Sequence, residues 1–170
     1  IDSSTLVIAS MQEYYLMEVT VSEQGAGHQT EYTGKRGEGG TIYREHRLAM
    51  RINLPCGVVY DSEGILYFTL VGDSKILRID TASGLGEPFC DISLFPVRLQ
   101  MDKFSNEIYF TRSYGFGVVE VIDGVPQVRD LISGEGNAFG TFSETGVNLA
   151  NGLVQVDENL WLICDGSNNR

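Results

Sequence analysis

A repeated pair of short β-strands is the feature that most constrains the fold of this chain. Three segments each show a short strand, a tight polar turn and a second strand that carries an aromatic residue; they are 53–69, 94–111 and 148–163. In the first segment Val58 and Tyr60 alternate with Val59, the period of two that is typical of strands. The turn at 61–64 has an Asp acceptor and a Gly that tolerates positive φ. The pattern therefore predicts repeated antiparallel hairpins.

Two further strands are predicted after each of the first two hairpins. Residues 76–80 and 118–123 have the composition of third strands, and 88–91 and 127–132 that of fourth strands. Successive second strands begin about 42 and about 52 residues apart, and the shorter spacing matches the roughly 40–50 residues of a propeller blade. Four strands per repeated unit make up such a blade. The sequence therefore predicts an all-β fold of β-propeller blades, each a four-stranded antiparallel meander.

The repeats divide the chain into four parts. Residues 1–52 are interpreted as the end of one blade plus a Gly-rich loop, and 53–92 as a blade. Residues 93–146 form a blade plus a second Gly-rich loop, and 147–170 the start of the next blade. The Gly-rich stretches Gly25 to Gly40 and Gly134 to Gly146 are expected to be loops. Because a ring needs typically four to eight blades and about three are present, we expect a segment of a larger, six-bladed type of propeller. The remaining blades would come from the same chain or from other subunits.

The first hairpin resembles the NHL repeat, and more distantly the gluconolactonase and regucalcin-like propellers. The stretch from Leu54-Pro55-Cys56-Gly57 to Leu66-Tyr67 fits the NHL pattern, and 165–170 resembles its second signature. The copies depart from the pattern, since Arg98 replaces the Gly in the second copy and Ala150 replaces the Pro in the third. The resemblance implies a propeller fold, which hosts many unrelated functions.

Composition excludes some classes of partner. With 23 acidic and 12 basic residues the formal charge is −11, which disfavours binding to nucleic acid. No run approaches the roughly 18 apolar residues of a membrane span, so membrane insertion is not expected. No targeting segment is visible, and a secreted or surface-exposed location is favoured. Three cysteines without metal-ligand spacing are predicted to be buried thiols, with one disulfide left open; they are Cys56, Cys90 and Cys164.

Aromatic residues suggest where a partner binds. Tyr67, Tyr109 and Trp161 share one register of the second strand, so they are predicted to pack between blades. Four other aromatic residues are predicted to lie exposed in Gly-rich loops, where binding surfaces are common; they are Tyr114, Phe116, Phe139 and Phe142. With no recognisable catalytic constellation, the sequence favours a non-catalytic NHL-like propeller without a cofactor. It would act as a binding or assembly scaffold for a protein or carbohydrate ligand.

An enzyme is the alternative. Asn151-Gly152-Leu153 resembles a metal-ligand motif of the gluconolactonase-like propellers, in which the starts of the inner strands surround a channel. That resemblance implies a lactonase-type hydrolase with Ca²⁺ or another divalent ion held by Asn151, and Asp165 is the candidate for a carboxylate ligand. Cys56 and Val97 occupy the positions that correspond to Asn151 and offer no side-chain oxygen. A structural role for Asn151 and Asp165 is therefore preferred.

Overall fold

The computed structural model describes residues 5–22, 25–136, 140–141 and 144–168. Within them nearly all regular structure is antiparallel β-strand, and 3-10 turns occur at Met11–Glu13 and Gly166–Asn168. The strands are β1 Thr5–Ser10, β2 Tyr15–Ser22, β3 Gly25–Gly34, β4 Glu45–His46, β5 Pro55–Tyr60, β6 Ile65–Leu70, β7 Lys75–Asp80, β8 Leu85–Asp91, β9 Pro96–Met101, β10 Ile108–Arg112, β11 Gly115–Ile122, β12 Val125–Ser133, β13 Ala150–Asp157 and β14 Leu160–Asp165.

These strands form four sheets that follow one another along the chain. Blade I is β1-β2-β3, blade II is β5-β6-β7-β8 with the short β4 beside β8, blade III is β9-β10-β11-β12, and blade IV is β13-β14. Within each blade, consecutive strands pair antiparallel as a meander. The prediction of an all-β fold made of such meanders is confirmed.

The core lies in layers between neighbouring blades, because both faces of each sheet carry apolar residues. In β6 the buried Leu66 and Phe68 pack towards blade I, whereas Tyr67 packs with Leu99 and Phe110 of blade III. The stacked rings of Tyr109 and Trp161, 4.2 Å apart, join blades III and IV. Full burial of side chains of this size stabilises the fold by about 1.5–3 kcal/mol each.

The hairpin turns are held by aspartate side chains. Asp61 accepts hydrogen bonds on Oδ1 from the backbone N–H groups of Glu63 (2.9 Å) and Ile65 (2.8 Å). Asp102 does the same in the turn between β9 and β10, accepting from Phe104 at 2.7 Å. The repeated aspartates are therefore turn-forming residues, as local side-chain acceptors are in reversals.

The two ends of the blades differ. The first strands of blades II, III and IV, here called the inner strands, lie side by side; they are β5, β9 and β13. At one end, the loop end, the connections 35–54, 92–95 and 134–149 lead from the last strand of a blade to the next inner strand. At the opposite end, the turn end, short turns at 61–64, 81–84, 102–107 and 123–124 close the hairpins. The connection 35–54 begins and ends at the loop end but reaches the turn end in between, where β4 pairs with the start of β8.

The prediction of a loop from Gly25 to Gly40 is wrong over its first ten residues. Gly25–Gly34 forms β3, which pairs along β2 and completes blade I. Tyr32 and Thr33 are buried there, and the guanidinium of Arg47 lies 4.4 Å from the centroid of the Tyr32 ring. The high glycine content suggested a loop, but this strand is stabilised by its pairing with β2 and by the burial of its side chains, not by its local composition.

The outermost sheets each leave one apolar face uncovered among the described residues. On β1, Val7 and Ala9 pack against blade II, whereas Leu6 and Ile8 are exposed. On blade IV, Leu153, Trp161 and Ile163 pack against blade III, and the alternating residues of the opposite face are exposed; these are Val154, Leu160 and Leu162.

Candidate functional site at the loop end of the inner strands

Each inner strand has a β-bulge close to its start. In β9, Pro96 pairs with Arg112 and Arg98 with Thr111, which leaves Val97 unpaired. The same irregularity interrupts the other two inner strands. It leaves Cys56 and Gly57 unpaired in β5, and Asn151 unpaired in β13. Bulges bend a strand and re-aim side chains, often beside functional sites. The three positions that sequence reasoning placed around the channel therefore share one backbone irregularity.

The residue before each inner strand adopts a left-handed backbone conformation. Leu54, Phe95 and Leu149 have φ of 50°, 55° and 54°, and Leu94 has φ of 64°. Residues with a Cβ pay about 1–2 kcal/mol for this conformation. Observed strain of this kind tends to cluster where function requires it.

An apolar surface results at the start of β9 and β13. Leu94, Phe95 and Leu149 are 49%, 53% and 44% exposed. The backbone of Ser113 joins them, since its N–H donates to Leu94 O (3.3 Å) and its carbonyl accepts from Leu149 N (2.7 Å). Together with Arg98 and the exposed Asn151, these residues are here called the mouth patch: Leu94, Phe95, Arg98, Leu149 and Asn151.

Arg98 occupies the position that Gly57 has in β5. A Cβ on Gly57 would lie 2.7 Å from the carbonyl oxygen of Val97, so β5 needs glycine there to lie against β9. In β9 the same position carries an exposed arginine. Its Nε donates to the carbonyl oxygen of Asn151 (3.0 Å), and its Nη1 lies 3.7 Å from the Sγ of Cys56. The guanidinium therefore connects all three inner strands.

No carboxylate of the described residues neutralises the charge of Arg98. Among the described residues, ion pairs join acidic partners to five other arginines: Arg36, Arg51, Arg78, Arg112 and Arg129. Arg98 has no such partner in the described part of the chain, and a carbonyl and a thiol hold it instead. Burial raises the pKa of the Cys56 thiol, an effect that Arg98 opposes, so the thiol stays neutral at neutral pH. The mouth patch thus presents a fixed positive charge beside apolar side chains.

The structure places the four predicted binding aromatics differently from one another. Tyr114 lies half-buried in the turn between β10 and β11. Phe116 is 1% exposed in β11, with its ring 5.7 Å from that of Tyr109, so the prediction that it is an exposed loop residue is wrong. Its strand begins directly after a two-residue turn, and the apolar ring faces the layer between blades III and IV. Phe139 and Phe142 lie outside the described residues.

The two metal-ligand candidates both lie at the loop end of blade IV, in different settings. Asn151 is exposed at the bulge, whereas Asp165 is 3% exposed. Oδ1 of Asp165 accepts from the backbone N–H of Asn148 (2.7 Å), and Oδ2 accepts from Nδ2 of Asn168 (2.8 Å). These bonds fix the start of β13 to the end of β14, so Asp165 has a structural role. No group of three His, Cys, Asp or Glu side chains among the described residues is arranged to hold a metal ion.

The residues that sequence reasoning missed are those of the strained connection. The replacement of glycine by Arg98 was visible in the repeat, and it was the signal that could have identified the site. Leu94, Phe95 and Leu149 gave no signal, because nothing in their identity indicates a left-handed backbone.

All three cysteines are free thiols; Cys56 and Cys90 are half-buried, and Cys164 is exposed against the expectation of burial.

Comparison with known proteins supports the fold. No protein-family model matches the chain, and no curated protein sequence matches it. A chain in the crystal structure of a nidogen/laminin complex superposes with a TM-score of 0.63 at 17% identity over 91% of this chain. An auxiliary nutrient binding protein from Bacteroides thetaiotaomicron superposes with a TM-score of 0.52 at 10% identity over 63% of this chain. The fold is that of β-propeller blades. The aligned part spans 49% of the first of these proteins and 32% of the second.

No helix in the described part of the chain is long and apolar enough to cross a membrane.

Proposed function

We propose that this protein is a non-catalytic propeller scaffold that binds a protein partner at the mouth patch. The observation that carries the proposal is the guanidinium of Arg98, which has no carboxylate partner in the described part of the chain and lies beside exposed apolar residues on strained backbone. Arginine and aromatic side chains dominate the energetic centres of protein interfaces. Phe95 and Arg98 supply both kinds of side chain within four residues.

The chemistry of the patch defines the partner that would fit it. A carboxylate can pair with the free edge of the Arg98 guanidinium in a charge-assisted, bidentate hydrogen bond. Apolar side chains next to that carboxylate would cover Leu94, Phe95 and Leu149, which are exposed in the free protein. With a net charge of −11 the rest of the protein repels acidic groups, so the position of Arg98 would set the register of the partner.

The structural neighbours support a binding role. The first is taken from a complex of nidogen and laminin, and the second is described as a nutrient binding protein. Because both are less than 25% identical to this chain, they support the proposal through the fold alone. Carbohydrate binding stays a prediction of the sequence, since two of the aromatic residues on which it rests lie outside the described residues.

We also propose that the blades are of the NHL type and that further blades of the same kind cover the free faces of blades I and IV, as in a six-bladed propeller. Leu66 and Phe68 of β6 pack on blade I, and Leu6 and Ile8 have the same positions in β1. The free faces thus have the residue pattern that packs between neighbouring blades elsewhere in the chain. Those blades would belong to the same protein or to another subunit.

The proposal is tested by selecting ligands for the mouth patch from a random peptide library displayed on phage. The library is enriched on immobilised protein and, in parallel, on the variant Arg98→Gln. We expect the wild-type protein to enrich peptides that carry Asp or Glu next to an apolar residue. These peptides should bind Arg98→Gln at least about tenfold more weakly, as expected for the loss of a central interface arginine.

A second variant separates the two parts of the patch. Phe95→Ser keeps the arginine and removes the exposed aromatic ring, and it should weaken the same peptides. Arg44→Gln is the matched control, because Arg44 is exposed on the connection 35–54 and lies outside the patch. A library that yields no enriched peptide, or peptides that bind all variants equally, would contradict the proposal.

A further inference from the structure

We propose that a cleft between blades II and III at the turn end binds a basic polypeptide segment, one in which Lys or Arg alternates with apolar residues. The cleft has a volume of about 590 Å³ and is here called the interblade groove. Blade II contributes Asp61, Glu63, Tyr67 and Phe89, and blade III contributes the turn 105–107 and the end of β11. The mouth patch lies at the opposite end of the blades, so this site is separate from the proposed function.

The floor and one wall of the groove are apolar. Ile108 and Val119 are buried at its floor, and the rings of Tyr67 and Phe89 meet edge to face, with centroids 5.0 Å apart. Val121, 59% exposed, extends the apolar surface along β11. A surface of this composition can cover the aliphatic part of a long side chain or an apolar neighbour in the bound segment.

The rim of the groove carries negative charge that the described part of the chain does not neutralise. Glu120 is paired with Arg129, whereas Asp61, Glu63 and Glu107 have no Lys or Arg within ion-pair distance among the described residues. Three carboxylates from two blades therefore face one cleft. Burial raises the pKa of the Tyr67 phenol to about 12, and the neighbouring charge of Asp61 adds to this shift.

The arrangement fits an ammonium or guanidinium group better than a metal ion. Asp61 already accepts hydrogen bonds from two backbone N–H groups, and its Oδ2 lies 3.3 Å from the hydroxyl of Tyr67. Among the described residues no three acidic side chains are grouped to hold a metal ion, whereas a cation at this wall can contact a ring face and a carboxylate together. One cation already contacts this wall, because the guanidinium of Arg78, which is paired with Glu87, lies 5.7 Å from the centroid of Phe89.

Charge and apolar character together select the occupant. A basic segment with apolar residues in alternate positions satisfies both the acidic rim and the apolar wall of Val121 and Phe89. Electrostatic complementarity of this kind gives specificity and speeds association. A wholly polar cation would leave the apolar wall exposed to water, and a neutral peptide would leave the carboxylates unpaired.

The test uses the peptide acetyl-Val-Arg-Val-Arg-Val-amide, with an analogue in which citrulline replaces both arginines. Binding to the protein is measured by isothermal titration calorimetry at low ionic strength. We expect the arginine peptide to bind at least about tenfold more tightly than the neutral analogue, with an affinity that falls as salt is added. Equal affinity of the two peptides, or no binding of either, would overturn the proposal.

Variants then locate the site. The double variant Glu63→Gln with Glu107→Gln should weaken the arginine peptide about tenfold, and Val121→Ser should weaken it too. Glu158→Gln is the control, because it removes an exposed carboxylate from the turn between β13 and β14, at the same end of the molecule but outside the groove. Arg98→Gln should leave this affinity unchanged, which separates the groove from the mouth patch. Thermal melts confirm that each variant is folded; a double variant that is folded and binds as the wild type does would place the peptide elsewhere and refute the inference.

Discussion

Arg98 on β9 donates from Nε to the carbonyl oxygen of Asn151 on β13, 3.0 Å away, and so joins two neighbouring inner strands. The preceding pair of inner strands is joined in another way. There the hydroxyl of Thr69 accepts from the N–H of Gly57 (2.7 Å) and donates to the carbonyl oxygen of Val97 (3.3 Å). Thr111, which pairs with Arg98 in the next blade, is buried with no hydrogen-bond partner for its hydroxyl among the described residues. The carbonyl oxygen of Asn151 corresponds to that of Val97, which accepts from Thr69. Arg98 thus donates to the acceptor that Thr111 would otherwise use.

This difference predicts opposite results for one substitution at two positions. Thr69→Val removes two hydrogen bonds and leaves the buried N–H of Gly57 unpaired, so it should lower the free energy of unfolding by about 1–3 kcal/mol. Thr111→Val replaces a hydroxyl that is already unpartnered, so it should change that free energy by less than about 0.5 kcal/mol or increase it. Urea unfolding of both variants measures the difference. Equal destabilisation by the two substitutions would contradict the proposed difference between the β5–β9 contact and the β9–β13 contact.

The burial of Phe116 predicts a large effect on stability. Phe116→Ala should lower the free energy of unfolding by about 3–5 kcal/mol, because the ring fills the layer between blades III and IV. Val121→Ala, in the same strand but exposed, should lower it by no more than about 0.5 kcal/mol. Chemical denaturation of the two variants provides the comparison. A mild effect at Phe116 would restore the interpretation of this residue as a surface aromatic.

A buried polar pair should hold blade IV to blade III. Gln155 donates from Nε2 to Oδ2 of Asp102 (2.9 Å) and accepts the N–H of Lys103 (3.0 Å). Gln155→Ala removes both bonds and leaves buried groups unpaired, so the expected cost is about 1–3 kcal/mol. Gln127→Ala, at an exposed position of β12, is the control and should be close to neutral. Hydrogen exchange should show faster opening of β13 in Gln155→Ala only; slow exchange in both variants would argue against this link.

The ionisation of Tyr67 predicts a loss of stability at alkaline pH. The pKa of its phenol is raised to about 12 in the folded protein, mainly by burial and then by the charge of Asp61. In the unfolded chain that pKa is about 10, so folding favours the neutral phenol. This contribution is complete below about pH 10 and is lost as the pH rises from about 10 to about 12. Over that range the stability of the wild type should fall relative to that of Tyr67→Phe, as measured by urea unfolding; a constant difference would contradict the assignment.

The repeated hairpins were predictable because their signal is local. Alternation in 65–70 and aspartates at the turns determine strands and reversals, and both follow from residue type. The packing of Tyr109 and Trp161 between blades was also predicted, and the structure confirms it. Their predicted shared register is wrong. Asp165 pairs with Ala150 as Arg112 pairs with Pro96, so Trp161 has the position of Ile108 and faces blade III. By contrast, β3 was missed, since its Gly-rich sequence is stabilised by pairing with β2 and by the burial of Tyr32 and Thr33.

Most of the candidate site was beyond the reach of sequence reasoning. The bulges at Cys56, Val97 and Asn151 depend on hydrogen bonds between strands, which no local pattern encodes. The left-handed backbone at Phe95 is imposed by the way the connection meets β9, and phenylalanine does not favour it. The register of the repeat did place three bulged residues at one end of the inner strands, so the location could be predicted although its chemistry could not.

The most direct test of the account measures the affinity of the best peptide selected on the wild-type protein for three proteins: wild type, Arg98→Lys and Arg98→Gln. The account predicts that Arg98→Gln binds the peptide at least about tenfold more weakly than the wild type does. The affinity of Arg98→Lys should lie between those of the wild type and Arg98→Gln, because lysine keeps the charge but cannot form a bidentate hydrogen bond. Thermal melts should show all three to be folded. Equal affinities across the folded series would contradict the proposal that this propeller binds its partner through Arg98.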